Sequence, residues 1–253
     1  MGSPEEQRPE ERARAACEER AARAEALAAG AVSGAELLRF AAGLFRAQAS
    51  VLPRLDAFEG VAAAVRPVLE YAAARGPSGL SQDARAALQD VAAFAERLRA
   101  FRAGGAFDYL ARAALAPWAV LQREKGGLVG SSGGPCNFCG GVPWMASLSG
   151  GAELQGAARM LHCGTCWQSW QVSRIRCPAC GEQDPPKLPA FSEAAHPGVR
   201  IEACDTCKGY LKSIDRSTDA RRIPEVDDLV SLAMDLWAME QGYERLEPGL
   251  AGL

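Results

Sequence analysis

Four Cys-x-x-Cys pairs lie between Cys136 and Cys207: Cys136/Cys139, Cys163/Cys166, Cys177/Cys180 and Cys204/Cys207. The last two pairs repeat the first two at a constant offset, since 136, 139, 163 and 166, each plus 41, give 177, 180, 204 and 207. Gly140 and Gly181 match at the same offset, and so do Thr165 and Thr206. Such a frame restricts what the chain can become. Two residues between thiolates let one short turn aim both sulfurs at one ion, and two such turns close a tetrahedral four-sulfur site. Glycine after the second cysteine tolerates positive φ, which lets the backbone fold over and direct N–H groups at the sulfurs. Pro178 stiffens the turn that contains it.

Four thiolates leave no open position for water. The pattern therefore points to a structural ion, or to an iron that changes only its charge, and away from a metal that activates a nucleophile. On spacing alone zinc and iron stand level. Redox disulfides share the two-residue spacing, but four pairs in a duplicated frame favour metal. The expected ligands are Cys136, Cys139, Cys163 and Cys166 for one ion and Cys177, Cys180, Cys204 and Cys207 for the other. The repeat unit then closes on itself, although crossed pairing satisfies the same geometry. His162 adjoins Cys163, but eight cysteines already complete two sites, so it reads as packed beside the site. Trp167 and Trp170 flank a knuckle and read as its apolar cover.

The remainder is helical or loop. The chain has 253 residues, 28 Lys and Arg against 31 Asp and Glu, and a net charge of −3. Between 136 and 216 eight basic residues face seven acidic ones. That balance argues against a nucleic-acid-binding zinc ribbon. The sequence opens Met-Gly-Ser-Pro-Glu-Glu, without a basic start and apolar run, and no uncharged stretch is long enough to span a bilayer. A cytoplasmic protein with reduced thiols is expected, with no stable membrane insertion.

Residues 4–29 carry Ala, Glu and Arg at helical density, with the lone Cys17 as a small residue on a helix face. Ser33 with Glu36 reads as a capping box opening a helix to about Ser50. Phe58, Val61, Val65, Leu69 and Ala72 give a further stripe, which Pro67 should kink or break. After the Gly76–Gly79 loop, a helix is expected from Ser81 through Leu88, Val91, Phe94, Leu98 and Phe101 until Gly104. Phe107, Leu110, Ala114, Trp118 and Leu121 give one more, bent at Pro117. The apolar faces suit a helical bundle. Residues 125–135 are a Gly/Ser linker. Strand-like segments follow at 142–148, 158–162, 168–174, 199–203 and 210–214. Pro224 opens a last helix, with Asp227 and Asp228 at its positive end and Val226, Leu229, Val230, Ala233, Leu236 and Trp237 on one face.

These residues resemble a known family. Leu161-His162-Cys163-Gly164-Thr165-Cys166 and Arg176-Cys177-Pro178-Ala179-Cys180-Gly181 are similar to the knuckles of the formate dehydrogenase accessory protein FdhE family. Cys204-Asp205-Thr206-Cys207-Lys208-Gly209-Tyr210-Leu211-Lys212 is the strongest match, continuing through Asp227-Asp228-Leu229 and Gln241-Gly242-Tyr243. The resemblance covers about 135–245. It implies rubredoxin-like knuckles that bind iron in a cytoplasmic protein needed to obtain active respiratory formate dehydrogenases. It also implies association with the molybdenum- or tungsten-containing catalytic subunit before export by the twin-arginine route.

The expected fold is α+β and multidomain: an N-terminal all-α helical bundle, two small tandem rubredoxin- or zinc-ribbon-like β modules, and a C-terminal helix. Its boundaries are a helical domain at 1–124, a linker at 125–135, metal modules at 136–172 and 173–216, and the helix and tail at 217–253. The expected function is an assembly protein, not an enzyme, with two tetrathiolate iron sites open to a redox-sensing role and zinc as the alternative metal. A tandem rubredoxin for electron transfer and a nucleic-acid-binding zinc ribbon are the competing readings.

Overall fold

A computed structural model describes residues 8–31, 34–126, 136–149 and 158–252. Ser33 of the expected capping box and residues 127–135 of the expected linker lie outside the described residues. The chain divides into two compact units, Met1–Val129 and Gly130–Leu253.

Small side chains let helices in the first unit approach closely. Helix α1 (Pro9–Gly30) buries Ala13, Cys17, Ala21, Ala24 and Ala28 along one stripe, against α2 (Ala35–Val51). Burial pushes the Cys17 thiol up to about 12, which makes it a packing residue at neutral pH. Pro67 acts as a break: α3 (Val61–Ala64) and α4 (Arg66–Arg75) part at Val65, and Pro67 sits in the first turn of α4, where its missing N–H costs nothing. The single helix expected from Ser81 is two, α5 (Ser78–Gln89) and α6 (Val91–Arg102). Asp90 stands at the joint and caps α6 by accepting the Ala93 amide at 2.9 Å. Ser78, expected in a loop, opens α5, and the Ser81 hydroxyl donates to the Ala73 carbonyl at 2.6 Å. Helix α7 (Tyr109–Glu124) runs through Pro117 and is buried from Leu110 to Leu121. Arg97 ties α5 and the cap of α7 together through Asp83 at 2.7 Å and Asp108 at 2.9 Å.

The second unit is built on one sheet. Strands β1 (Pro143–Ser149), β2 (Ala158–Cys163) and β3 (Ser169–Val172) form an antiparallel meander, and β4 (Ala190–Ser192), β5 (Val199–Ala203) and β6 (Gly209–Asp215) form another. The two meanders join by parallel pairing of β1 with β6, Met145 opposite Lys212 through Leu148 opposite Asp215. The order is β3-β2-β1-β6-β5-β4, and β7 (Glu244–Arg245) lies beside the start of β6. The duplication is thus structural as well as textual: β2 and β3, shifted by the offset of the cysteine repeat, fall on β5 and β6. The helical first half, the cysteine-bearing sheet and the closing helix agree with the expected fold class. The two copies share a sheet and a core of Trp144, Met145, Ile201, Tyr210, Ile214 and Ala238. Fully burying a large apolar side chain contributes about 1.5–3 kcal/mol. No helix among the described residues is long and apolar enough to cross a membrane.

The closing segment departs from its expected pattern. Helix α8 (Pro224–Asp227) passes through a 3-10 turn (Asp228–Ser231) into α9 (Leu232–Glu240). The tighter turn changes the phase, so Val230 and Leu236 face outward while Met234, Asp235 and Ala238 are buried. Asp228 is not a solvated partner of the helix dipole. It is fully buried, and Lys212 Nζ lies 2.6 Å from both Asp228 and Asp235. Arg245 lies 3.0 Å from Asp228 and 3.1 Å from Asp235. The Tyr210 hydroxyl donates to Asp235 at 3.1 Å. Two cations and two anions therefore cancel in a dry site that fastens α9 to β6 and β7. Removing one partner would strand an uncompensated buried charge. Lys212→Met is expected to lower stability by about 3–5 kcal/mol, read from the denaturant midpoint at constant slope. A loss well below that range shows that water reaches the cluster.

Candidate metal centres

Each knuckle begins as a tight turn fixed by backbone bonds, and those bonds recur in register in the second copy. Cys136 N donates to Gly141 O at 2.7 Å and Cys177 N to Glu182 O at 2.9 Å; Cys163 N donates to Gln168 O and Cys204 N to Gly209 O, both at 2.9 Å. Positive φ occurs after the second cysteine of all four knuckles: Gly140 at 76°, Trp167 at 57°, Gly181 at 79° and Lys208 at 58°. The sequence marks only the two glycines. Trp167 and Lys208 accept the left-handed turn at a conformational cost of roughly 1–2 kcal/mol each, because the turn needs that geometry whichever side chain occupies it.

These turns bring the eight cysteines together four by four, in the pairing that closes each repeat on itself. Cys136, Cys139, Cys163 and Cys166 form one group and Cys177, Cys180, Cys204 and Cys207 the other, and within each group all sulfurs lie within 4.8 Å of one another. Individual separations are 3.5 Å for Cys136–Cys166 and 3.4 Å for Cys139–Cys163, then 3.7 Å for Cys177–Cys207 and 3.6 Å for Cys180–Cys204. A disulfide would hold its sulfurs at about 2.0 Å. Tetrahedral metal–sulfur bonds of about 2.3 Å place them near 3.8 Å. The groups fit an ion, and each could hold one.

Electrostatics agree. Hydrogen bonds from Cys139, Cys163 and Cys166 push the Cys136 thiol down, while the same crowding pushes Cys163 and Cys166 up. Four adjacent sulfurs cannot all be thiolates until a cation lies between them. Backbone donors favour the charged form: Phe138 N points at Cys136 Sγ and Thr165 N at Cys163 Sγ, each at 3.4 Å. Their counterparts in the second copy, Ala179 and Thr206, do the same for Cys177 and Cys204.

The two centres differ in cover. In the first, a Cβ added at Gly141 would lie 3.0 Å from Cys163 Sγ, a tight contact that glycine avoids. Trp167 and Trp170 are buried beside it, as apolar cover. In the second, Glu182 occupies the equivalent position, and Thr206 Oγ1 donates to its carboxylate at 2.5 Å, which holds that carboxyl at about 2. Cys180 and Cys207 are exposed, whereas Cys136, Cys163 and Cys166 are buried. His162 turns away from the sulfurs: its Nε2 lies 2.8 Å from Ser147 Oγ and its Nδ1 3.8 Å from Glu225. His196 lies in the turn between β4 and β5.

The model of the FdhE C-terminal domain matches residues 175–250. The FdhE homolog of Aquifex aeolicus is 32% identical over 117 residues, 46% of this chain and 41% of that protein. The homolog of Pseudomonas aeruginosa is 33% identical over 139 residues, 52% of this chain and 44% of that protein. Protein FdhE of Escherichia coli is 33% identical over 111 residues, 44% of this chain and 35% of that one. The alignments thus span less than half the length of these curated relatives. The crystal structure of the FdhE protein from Pseudomonas aeruginosa superimposes with a TM-score of 0.72, covering 94% of this chain and 95% of that one at 25% identity. The chain thus shares the fold of an FdhE protein, and its residues 175–250 match the FdhE C-terminal domain. The FdhE resemblance expected from 135–245 thus extends, in fold, through the helical half.

Two outcomes test this geometry. Gly140→Ala forces a Cβ into a left-handed turn with open space around it, so it should cost about 1–2 kcal/mol through conformation alone, measured by thermal unfolding of the metal-loaded protein. A chelator followed by absorbance should remove metal in two phases, the faster from the exposed centre. In Cys180→Ser the fast phase should disappear with one equivalent of metal, and equal rates at both centres contradict the difference in cover.

Proposed function

We propose that this chain is an accessory protein for the assembly of a formate dehydrogenase, acting on the catalytic subunit in the cytoplasm before export and not itself an enzyme. The observation that carries the reading is the pair of closed four-sulfur groups in an FdhE-family fold. Closed sites supply charge and rigidity but no open position at which a substrate can bind a metal.

Cys136, Cys139, Cys163 and Cys166 hold one ion in this reading, and Cys177, Cys180, Cys204 and Cys207 the other. Iron is the proposed metal, with zinc the alternative. Bound iron would supply a one-electron change of charge at each site, and on that basis we infer a redox-sensing role. The chain's own residues do the rest. Backbone N–H groups hold the thiolates, and the buried Lys212, Asp228, Asp235 and Arg245 cluster keeps the closing helix on the sheet. A second reading, electron transfer as a tandem rubredoxin, draws on the exposure of Cys180 and Cys207.

The test is anaerobic co-purification of the tagged full chain with a formate dehydrogenase catalytic subunit, with metal analysis and redox titration of the same sample. Capture of the subunit together with reversible iron is the expected result. Redox-silent zinc at both centres removes the sensing role and leaves the assembly role. Failure to capture the subunit, with turnover as an electron carrier, favours the second reading.

A further inference from the structure

The connection from β3 to β4 crosses one face of the sheet and leaves a cavity of about 160 Å³ beneath it, which shares Arg159, Arg176, Cys177 and Pro178 with a wider opening of about 450 Å³. Four arginines line this trough: Arg159, Arg174, Arg176 and Arg200. Glu202 is the one carboxylate that lines it among the described residues. It is already used, since Arg159 approaches it at 2.7 Å and also donates to the Arg176 carbonyl at 2.9 Å. Arg174, Arg176 and Arg200 make no side-chain ion pair or hydrogen bond among the described residues; Arg200 acts at longer range on the Asp215 carboxylate, which leaves Arg174 and Arg176 as the trough's cations without a nearby carboxylate.

The neighbouring thiolate centre does not account for that charge. If arginines were needed to balance four thiolates, the first module would carry them too. At the positions in register with Arg174 and Arg176 it has Gly133 and Pro135. The arginines belong to the trough and not to the metal-site plan.

We propose that this trough binds an extended acidic segment of a partner protein. Leu148, Leu161, Leu188 and Leu211 interleave the cations with apolar wall, which suits a peptide with alternating side chains better than a lone anion. Gln171 and Val172 of the edge strand β3 line the wider opening, where unpaired backbone groups can receive a strand. The identity of the partner rests on the assembly reading above; the chemistry of the trough does not.

The experiment uses the metal-loaded full chain and a fluorescein-labelled peptide alternating glutamate and leucine, followed by anisotropy at two salt concentrations. Inorganic phosphate and a single-stranded oligonucleotide serve as competitors. Wild type should bind the peptide more weakly at high salt, and Arg174→Glu with Arg176→Glu should reduce affinity about tenfold or more. Both side chains are exposed, so circular dichroism and metal content should stay unchanged. Arg200→Ala should give a smaller loss in the same direction. Absence of peptide binding, binding untouched by the substitutions, or tighter binding of phosphate or oligonucleotide at the same arginines overturns the proposal. The double variant is then used to capture the catalytic subunit. Loss of capture supports the trough as the docking surface, and retained capture overturns that role while leaving the assembly reading in place. If wild type also fails to capture, the assembly reading falls, and the peptide assay alone decides the trough.

Discussion

The second unit depends on gathering like charges. Four sulfurs within 4.8 Å of one another repel as thiolates, and a cation at each centre would relieve that repulsion. Much of the folding free energy of small metal modules comes from that ion. The knuckle turns, the left-handed residues after each second cysteine and the amides aimed at sulfur all serve the same purpose. They prepare a site whose value is realised on loading.

Sharing a sheet changes what each centre can do alone. The parallel joint of β1 and β6 lets one core of Trp144, Met145, Ile201 and Tyr210 serve both copies. Arg159 reaches from β2 to Glu202 on β5 and to the carbonyls of the crossing segment. A disturbance at either centre is therefore felt in strands that belong to the other.

Legibility in the sequence follows chemistry. The cysteine frame is readable because metal ligation demands fixed spacing, and its repeat carries over into β2 and β5, β3 and β6, and the bonds at each knuckle. Breaks at Pro67 and Gly104 are readable because their backbones allow little else. Asp90 gives no such signal, since the apolar period of Ala84, Ala87, Phe94 and Leu98 runs across the joint it makes. The closing helix misleads for a related reason. Asp228 looks solvated at the positive end of a helix, and only the strand order places Lys212 and Arg245 opposite it. Trp167 and Lys208 hide their left-handed turns because neither is glycine, although each follows a second cysteine as Gly140 and Gly181 do.

The joint between the copies has one further implication. The last strand of the second meander pairs with the first strand of the first, so the arrangement is head-to-tail and not self-complementary. A head-to-tail seam has no built-in end, and in principle further copies could add indefinitely at the free borders. The strand at the growing end, β4, spans only Ala190–Ser192, whereas its counterpart β1 spans Pro143–Ser149. So short a border strand offers few unpaired backbone groups to another strand.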